Sequence, residues 1–399
     1  MRLFYLLFSI YGISHIYIFL CLRRAFGGGK WQIPVGLWLF AMAVSWLWRF
    51  SRPVGSFGAK VQDVTFFWMG FLILLCYCLI AGDLAALAAR GLALLTRAEA
   101  VRQAAAFLTA ARYVPAALGI AFLLYGWSIY RAYTPRIVSL ALTTAKLPAG
   151  SAPLRIVGIS DVHVSSIIGP FLLQRIADKV NALRPDVLVV AGDLVDTDVS
   201  KRNKDAAILA SISAPHGKFV VTGNHEYYRG LRNSLDFMKR SGLTPLRGAV
   251  AEAGGISVAG VDDDSFSRES PDTTDVQRVL AMAPEDRFIL LLNHKPHYPL
   301  ESIGHFDLQY SGHTHAGQFW PGIFFIRRMY GLDQGLTLLN RGKASSLLYI
   351  TNGTGFWGPP IRFLTPSEIT LITLSPEKSG PEHSQTEAAP GSMKSPRHM

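Results

Sequence analysis

Hydrophobic and polar positions alternate in two different textures along the chain. Over the first third the apolar runs are long: Leu3–Leu22, Pro34–Trp48, Val64–Ala81 and Tyr113–Tyr130. A helix needs about 20 mainly apolar residues to cross a bilayer core, so the pattern predicts about four transmembrane helices. Trp46 and Trp48 precede Arg49, and Trp127 and Tyr130 precede Arg131, as at a membrane–water boundary. The Ala/Leu-rich segment between the third and fourth runs carries Arg90, Arg97 and Arg102, and its pattern predicts an amphipathic helix lying along the interface. The first run is too long for a signal-peptide core and has no small-residue cleavage site after it.

Beyond Pro148-Ala-Gly-Ser-Ala-Pro153, which reads as a linker, the runs become short. Leu154–Ile159, Asp186–Ala191, Lys218–Thr222, Ile256–Val261, Phe288–Leu292, Leu308–Tyr310, Leu347–Thr351 and Ile369–Leu374 read as buried strands. Phe171–Leu183 and Leu231–Ser241 read as helices. Val/Ile/Leu-rich strands separated by helices predict an α/β fold, and the late strands without helices between them predict a second, partly antiparallel sheet. The expected organisation is a membrane region over 1–147, a linker over 148–153, a globular domain over 154–374 and a polar tail over 375–399. The tail's Ser, Pro, Glu and Lys content predicts disorder, with His383 and His398 solvated.

Composition sharpens this division. The chain is 50% hydrophobic and 17% charged, too apolar for an ordinary soluble protein. Residues 1–150 hold 14 Lys and Arg against three Asp and Glu, so the whole net charge of +11 lies there and the remainder is formally neutral. A basic surplus beside apolar spans suits membrane flanks and lipid headgroups, and argues against a nucleic-acid enzyme. Discounting the long third loop in the positive-inside comparison places the globular domain on the cytoplasmic side. Cys21, Cys76 and Cys78 all lie in apolar runs, so the polar part has no disulfide framework and no thiolate metal site. His15, inside the first span, fits either a functional intramembrane group or a helix–helix hydrogen bond.

The chemistry is concentrated at strand ends. Ser160-Asp161-Val-His163, Gly192-Asp193-Leu-Val-Asp196, Gly223-Asn224-His225-Glu226, Asn293-His294 and Gly312-His313-Thr-His315 each follow an apolar strand. In an extended chain residues i and i+2 project to one side, so Asp161 and His163 are expected to face one ion by the strand pleat. Ligands at the carboxyl ends of neighbouring strands converge on one crevice. Buried carboxylates and imidazoles are costly without partners, and metal supplies them. Carboxylate, amide and imidazole donors without thiolates suit Mn, Fe or Zn. The donors are too many for one tetrahedral ion, which points to two divalent ions sharing a carboxylate.

These five blocks, in this order over about Leu154–Leu374, resemble the calcineurin-like metallophosphoesterases. The similarity is closer to the bacterial YkuE/YaeI-like branch. That branch continues Gly-His-Thr-His with Gly-Gln, here Gly317-Gln318, and carries late motifs read here as Gly353-Thr-Gly355, Pro360-Ile-Arg362 and Pro366-Ser-Glu368-Ile-Thr370. The membrane region lies outside the resemblance. The resemblance implies a four-layer α/β/β/α sandwich behind the membrane helices. It implies one ion on Asp161, His163, Asp193 and His315, and a second on Asp193, Asn224, His294 and His313, with Asp193 bridging. His225 is expected to protonate the leaving oxygen and Asp196 to orient His225, while Glu226 is expected to be structural. Arg362 is a candidate for binding a phosphate or headgroup, with a structural role as the alternative. The acidic run Asp262–Asp264 is expected to be a surface loop. The implied activity is metal-dependent hydrolysis of a phosphodiester, phosphomonoester or pyrophosphate bond in the membrane of a bacterial cell, the inner membrane, with lipid-linked and nucleotide-lipid substrates among the candidates and membrane lipids as partners. The alternative is a non-catalytic membrane sensor or scaffold that keeps the fold.

Overall fold

A computed structural model of the chain describes residues 2–46, 55–96, 98–266 and 271–377. Trp48, Arg49, Arg52, Arg97 and the tail beyond 377, with His383 and His398, lie outside the described residues. The chain folds as two compact units, Met1–Arg131 with Gly358–Ile361, and Ala132–Trp357 with the residues from Arg362 onward.

The first unit is helical: α1 (Arg2–Phe26), α2 (Gln32–Ser45), α3 (Gly55–Leu95), α4 (Glu99–Phe107) and α5 (Ala110–Ala132). Among the described residues two helices are long and apolar enough to cross a membrane, 57–95 within α3 and 110–132 in α5. The expected spans over 3–22 and 34–48 form α1 and α2. With 14 residues, α2 rises only roughly 21 Å at 1.5 Å per residue. The amphipathic segment expected after the third span is divided: Arg90 falls within α3 and Arg102 in the separate helix α4. Helix α3 runs unbroken through Leu95, because no proline interrupts it and Ala and Leu are strong helix formers. Several polar groups among these helices are matched. The His15 ring bonds the Tyr11 carbonyl at 2.7 Å and accepts from the Trp68 indole at 2.9 Å, so His15 is a helix–helix hydrogen-bonding group. Asp83 accepts from Tyr17 at 2.7 Å, from Arg24 at 3.0 Å and from Tyr113.

The second unit contains β1 (Arg136–Thr144), β2 (Leu154–Ile159), α6 (Pro170–Ala182), β3 (Val187–Ala191), α7 (Asn203–Ala210), β4 (Lys218–Val221), α8 (Asn224–Tyr228), α9 (Leu231–Arg240), β5 (Thr244–Pro245), β6 (Ala249–Ala253) and β7 (Ile256–Gly260). It continues with α10 (Pro271–Thr274), α11 (Val276–Leu280), β8 (Ile289–Leu292), β9 (Leu308–Ser311), α12 (Gly322–Tyr330), β10 (Gly335–Arg341), β11 (Ala344–Ile350) and β12 (Glu368–Pro376). The strands form two sheets of six, in the orders β1-β12-β2-β3-β4-β5 and β10-β11-β9-β8-β7-β6. Strands β2 to β5 are parallel, and β12 runs antiparallel to β2. In the second sheet β7, β8, β9 and β11 are parallel, and only the edge strands β6 and β10 are antiparallel.

The strand pleat sorts the apolar side chains into layers, since successive residues point to opposite faces. Ile156, Val189, Val221 and Ile372 of the first sheet meet Val258, Leu290, Leu308 and Tyr310 of the second in one core. Their neighbours Val157, Ile159, Val190 and Val220 pack under Leu172 and Ile176 of α6, Leu209 of α7 and Phe237 of α9. On the far side Ala259, Ile289, Leu291 and Leu348 pack with Val276, Val279 and Leu280 of α11. This is mixed α/β with helices outside two stacked sheets. The globular unit begins at Ala132 rather than at 154, because β1 adds to the first sheet alongside β12. The Pro148–Pro153 stretch is therefore the β1–β2 connection. As an edge strand β1 buries only Thr144 fully and half-buries Val138, Leu140 and Leu142.

Candidate metal centre

The five blocks come together where strands of both sheets end. Asp161 and His163 leave β2, Asp193 leaves β3, Asn224 and His225 open α8 after β4, His294 leaves β8, and His313 and His315 leave β9. The route is not the pleat of an extended strand. Asp161, His163, Asp193, His313 and His315 have φ of 53°, 54°, 49°, 68° and 50°, in the left-handed region that side chains other than glycine seldom occupy. Each such residue turns the chain sharply where the strand ends. Backbone hydrogen bonds hold the turns: Asp161 N–H donates to Gly192 O at 3.1 Å, His163 N–H to Asp193 O at 3.0 Å and Gly312 N–H to His294 O at 2.9 Å. The glycines before the ligands give room. A Cβ on Gly223 would meet the Asp193 carboxylate and backbone, and one on Gly312 would meet Ser160 and Asp161.

Three groups of side chains each bring their donor atoms within 4.8 Å of one another: Asp161, His163 and His315; His163, Asp193 and His225; and Asp193, His294 and His313. His163 Nε2 lies 3.0 Å from His315 Nε2, which is 3.4 Å from Asp161 Oδ1. Asp193 Oδ2 lies 3.3 Å from His294 Nε2 and 3.8 Å from His163 Nε2, between the two outer groups. His294 Nε2 is 3.1 Å from His313 Nδ1. The His294 Nδ1 atom is occupied by the Ala191 carbonyl at 2.8 Å, which leaves Nε2 for the centre.

These residues fit divalent ions on observations of their own. Asn224 Oδ1 and His163 Nδ1 are buried without a hydrogen-bond partner, which is costly for amide and imidazole alike. Burial, and then the neighbouring His225, pushes the His163 imidazole down to about 3. Burial and His294 push His313 down to about 4, and burial with Arg362 holds His315 well below the usual range. Neutral rings offer lone pairs, as ligation requires. Burial pushes the Asp161 carboxyl up to about 6. Burial opposes charge on His294 as well, yet Asp193 pushes it up to about 10, and His294 with other rings keeps Asp193 well below the carboxylate range. The buried Asp193 thus demands a cation beside it.

His225 stands at the edge of these groups, its Nε2 4.0 Å from Asp193 Oδ2 and its Nδ1 2.7 Å from Asp196 Oδ1. Burial opposes protonation, but Asp196 together with Asp193 and Glu226 outweighs it and raises the His225 pKa. Arg229, which the sequence reading missed, donates to the same Asp196 oxygen at 2.9 Å. Nothing in the sequence separates Arg229 from other surface arginines, because it reaches Asp196 only through the turn of α8. Tyr228 and Trp357 flank the His225 ring, with centroids 5.5 and 5.7 Å away.

Glu226 is structural in the geometry. Its carboxylate accepts from the backbone N–H groups of Gly223 at 2.6 Å, Leu194 at 2.8 Å, Asp193 at 3.0 Å and Val195 at 3.1 Å. Arg362 does not face a substrate. Its guanidinium is fully buried and donates to the carbonyls of Gly355, His315 and Asn352 and to His315 Nδ1 at 3.0 Å. The candidate phosphate or headgroup contact is corrected accordingly: Arg362 ties the late loop to the His315 loop. The same late motifs close over β2, with Thr354 N–H donating to Ser160 O at 2.7 Å and Gly355 N–H to Asp161 O at 3.1 Å. The acidic run is not a simple surface loop either. Asp262 and Asp263 are buried, bonded to Thr222 at 2.8 Å and to Lys295 at 3.2 Å, and only Asp264 is exposed.

Comparison with known proteins agrees with this arrangement. The sequence profile described as calcineurin-like phosphoesterase matches residues 154–317. An uncharacterized metallophosphoesterase of Aquifex aeolicus is 35% identical over 258 residues, covering 64% of this chain and 97% of that protein. A transmembrane protein with metallophosphoesterase domain from Danio rerio is 31% identical over 358 residues, covering 86% of this chain and 80% of its own. The uncharacterized metallophosphoesterase YkuE of Bacillus subtilis is 29% identical over 266 residues, 63% of this chain and 89% of that one. With the site's blocks falling inside the matched region, this chain belongs to the calcineurin-like metallophosphoesterases.

Proposed function

We propose that this chain is a membrane-anchored phosphoester hydrolase working with two divalent ions, drawn from Mn, Fe and Zn. Asp161, His163, Asp193 and His315 hold one ion, and Asp193, Asn224, His294 and His313 hold the other. The observation that carries this reading is the convergence of three His/Asp groups, the middle one sharing His163 with the first and Asp193 with the third. When bound, the ions supply Lewis acidity toward water and toward the phosphoryl oxygens. The chain's own residues do the rest. His225, held by Asp196 at 2.7 Å and kept protonated by it, delivers a proton to the leaving oxygen. Arg229 holds the same Asp196 oxygen. Glu226 and Arg362 keep the turns that carry Asp193 and His315.

The substrate class is a phosphodiester, phosphomonoester or pyrophosphate, with a lipid-linked substrate favoured by the two bilayer-length helices. The site of action is the inner membrane of a bacterial cell, spanned by about four helices, with the second unit on the cytoplasmic side; a C-terminal reporter fusion tests the side. Stripping metal with a chelator abolishes hydrolysis of bis-p-nitrophenyl phosphate, and adding Mn restores it. Absence of hydrolysis with Mn, Fe and Zn alike, together with a metal-to-protein ratio near zero, would falsify the reading in favour of a scaffold.

A further inference from the structure

Helix α12, with the sequence Gly-Ile-Phe-Phe-Ile-Arg-Arg-Met-Tyr, has no fully buried side chain. At 100° per residue, the half-buried Ile323, Ile326 and Tyr330 share one arc, which faces the protein. The opposite arc carries Phe324, Arg328, Phe325 and Met329, with Phe325 71% and Met329 72% exposed. A surface helix ordinarily turns polar residues to water. Here the outward arc is apolar and aromatic apart from Arg328, the helix holds no acidic residue, and Arg328 gives it positive charge while Arg327 pairs with Asp333 at 2.6 Å. The exposed Trp320 extends the arc, its ring 6.4 Å from that of Phe324.

That composition matches a helix lying in a lipid interface, where aromatic rings sit at headgroup level and arginines meet anionic phosphates. The covalent chain supplies the bilayer. The bilayer-length helix α5 ends at Ala132 and β1 begins at Arg136, and the three residues between can stretch only about 14 Å. At one end α12 is joined to the metal centre by close backbone packing of Gly322 on Gly317, in the loop that carries His315. At the other end the Tyr330 ring lies 6.2 Å from that of His313.

We propose that α12, with Trp320, is an interfacial anchor that lies among the headgroups of an anionic bilayer and presents the His313/His315 edge of the site to phosphoesters held in that bilayer. The proposal rests on the membrane half of the reading above and deepens it to a bilayer-embedded substrate class.

The test uses the full chain in vesicles of phosphatidylcholine and phosphatidylglycerol, with a bimane label on Phe325→Cys. A label on Glu285→Cys is the exposed control, and the unsubstituted chain, labelled in parallel, corrects for Cys21, Cys76 and Cys78. When the acyl chains are brominated, Phe325→Cys loses fluorescence and Glu285→Cys does not, and the loss is greater with phosphatidylglycerol than with phosphatidylcholine alone. Co-flotation with vesicles but equal fluorescence at the two sites overturns this proposal alone. Failure to co-float overturns it together with the membrane reading, while the chelation assay tests the hydrolase reading separately. Protection of the label that grows with the protein-to-lipid ratio, without bromine quenching, identifies a second copy of the chain as the occupant and overturns the lipid assignment.

Discussion

At Asp161, His163, Asp193, His313 and His315 the backbone sits at φ between 49° and 68°. Such residues cost of order 1–3 kcal/mol each when they are not glycine, and persist where the surroundings over-determine them. The bonds to Glu226 and Arg362 are that surrounding. Replacing Glu226 with Ala leaves four buried N–H groups unpaired, at roughly 1–3 kcal/mol apiece; a thermal unfolding scan is expected to show a large fall in melting temperature, and metal analysis a loss of ions. His225 responds differently. His225→Ala keeps its metal content and loses about 10²–10⁴-fold in kcat, the range for a general acid. Because Asp196 raises the His225 pKa, the protonated ring persists to higher pH, and kcat falls as pH rises through that value. Asp196→Asn removes the raising partner and moves this limb to lower pH; a pH–rate profile with an unmoved limb removes Asp196 from the pair. At this scale the sequence marked out the Asp and His residues whose side chains the fold brings together, but it assigned their convergence to strand pleating. Left-handed turns at Asp and His leave no compositional mark, so no pattern in the chain could have revealed them.

Elements with strong hydrophobic periodicity were readable. The expected strand Leu154–Ile159 is β2 residue for residue, and the expected Leu231–Ser241 helix differs from α9 by one residue. Buried strands of Val, Ile and Leu have one stable solution between two layers, so their pattern specifies them. Several of the missed elements lie where burial is partial. Strand β1 is an edge, α12 buries nothing fully, and β6 and β10 are the edge strands of the second sheet. Arg362 shows the same limit at a loop: the late Pro-x-Arg motif was visible, whereas its three backbone partners, Gly355, His315 and Asn352, are set by tertiary closure alone. Arg362→Lys, with one compact ammonium in place of a planar fork, cannot reach all three carbonyls. Its expected effect is weaker metal retention, read by equilibrium dialysis with Mn. Retention equal to that of the unsubstituted chain would reduce Arg362 to a packing residue.

For the whole molecule, the change of texture in the sequence sets a boundary at the Pro/Gly-rich stretch, whereas the chain divides at Ala132. Punctuation by Pro and Gly marks a turn, and here the turn joins two strands of one sheet. A fragment beginning at Ala132 is therefore expected to be recovered soluble in higher yield than one beginning at Leu154, which leaves the β12 edge unpaired; gel filtration of the two compares them. The pairing of β1 with β12 has a mechanical side. The strands run parallel in register from Arg136↔Glu368 to Thr144↔Pro376, and β1 follows directly on α5. Because the pairing is parallel and in register, a pull along the axis of β1 would load the inter-strand hydrogen bonds together, in shear, rather than peeling them one after another. The strand that the sequence concealed is thus the one that lets this edge be pulled lengthwise without unravelling its sheet.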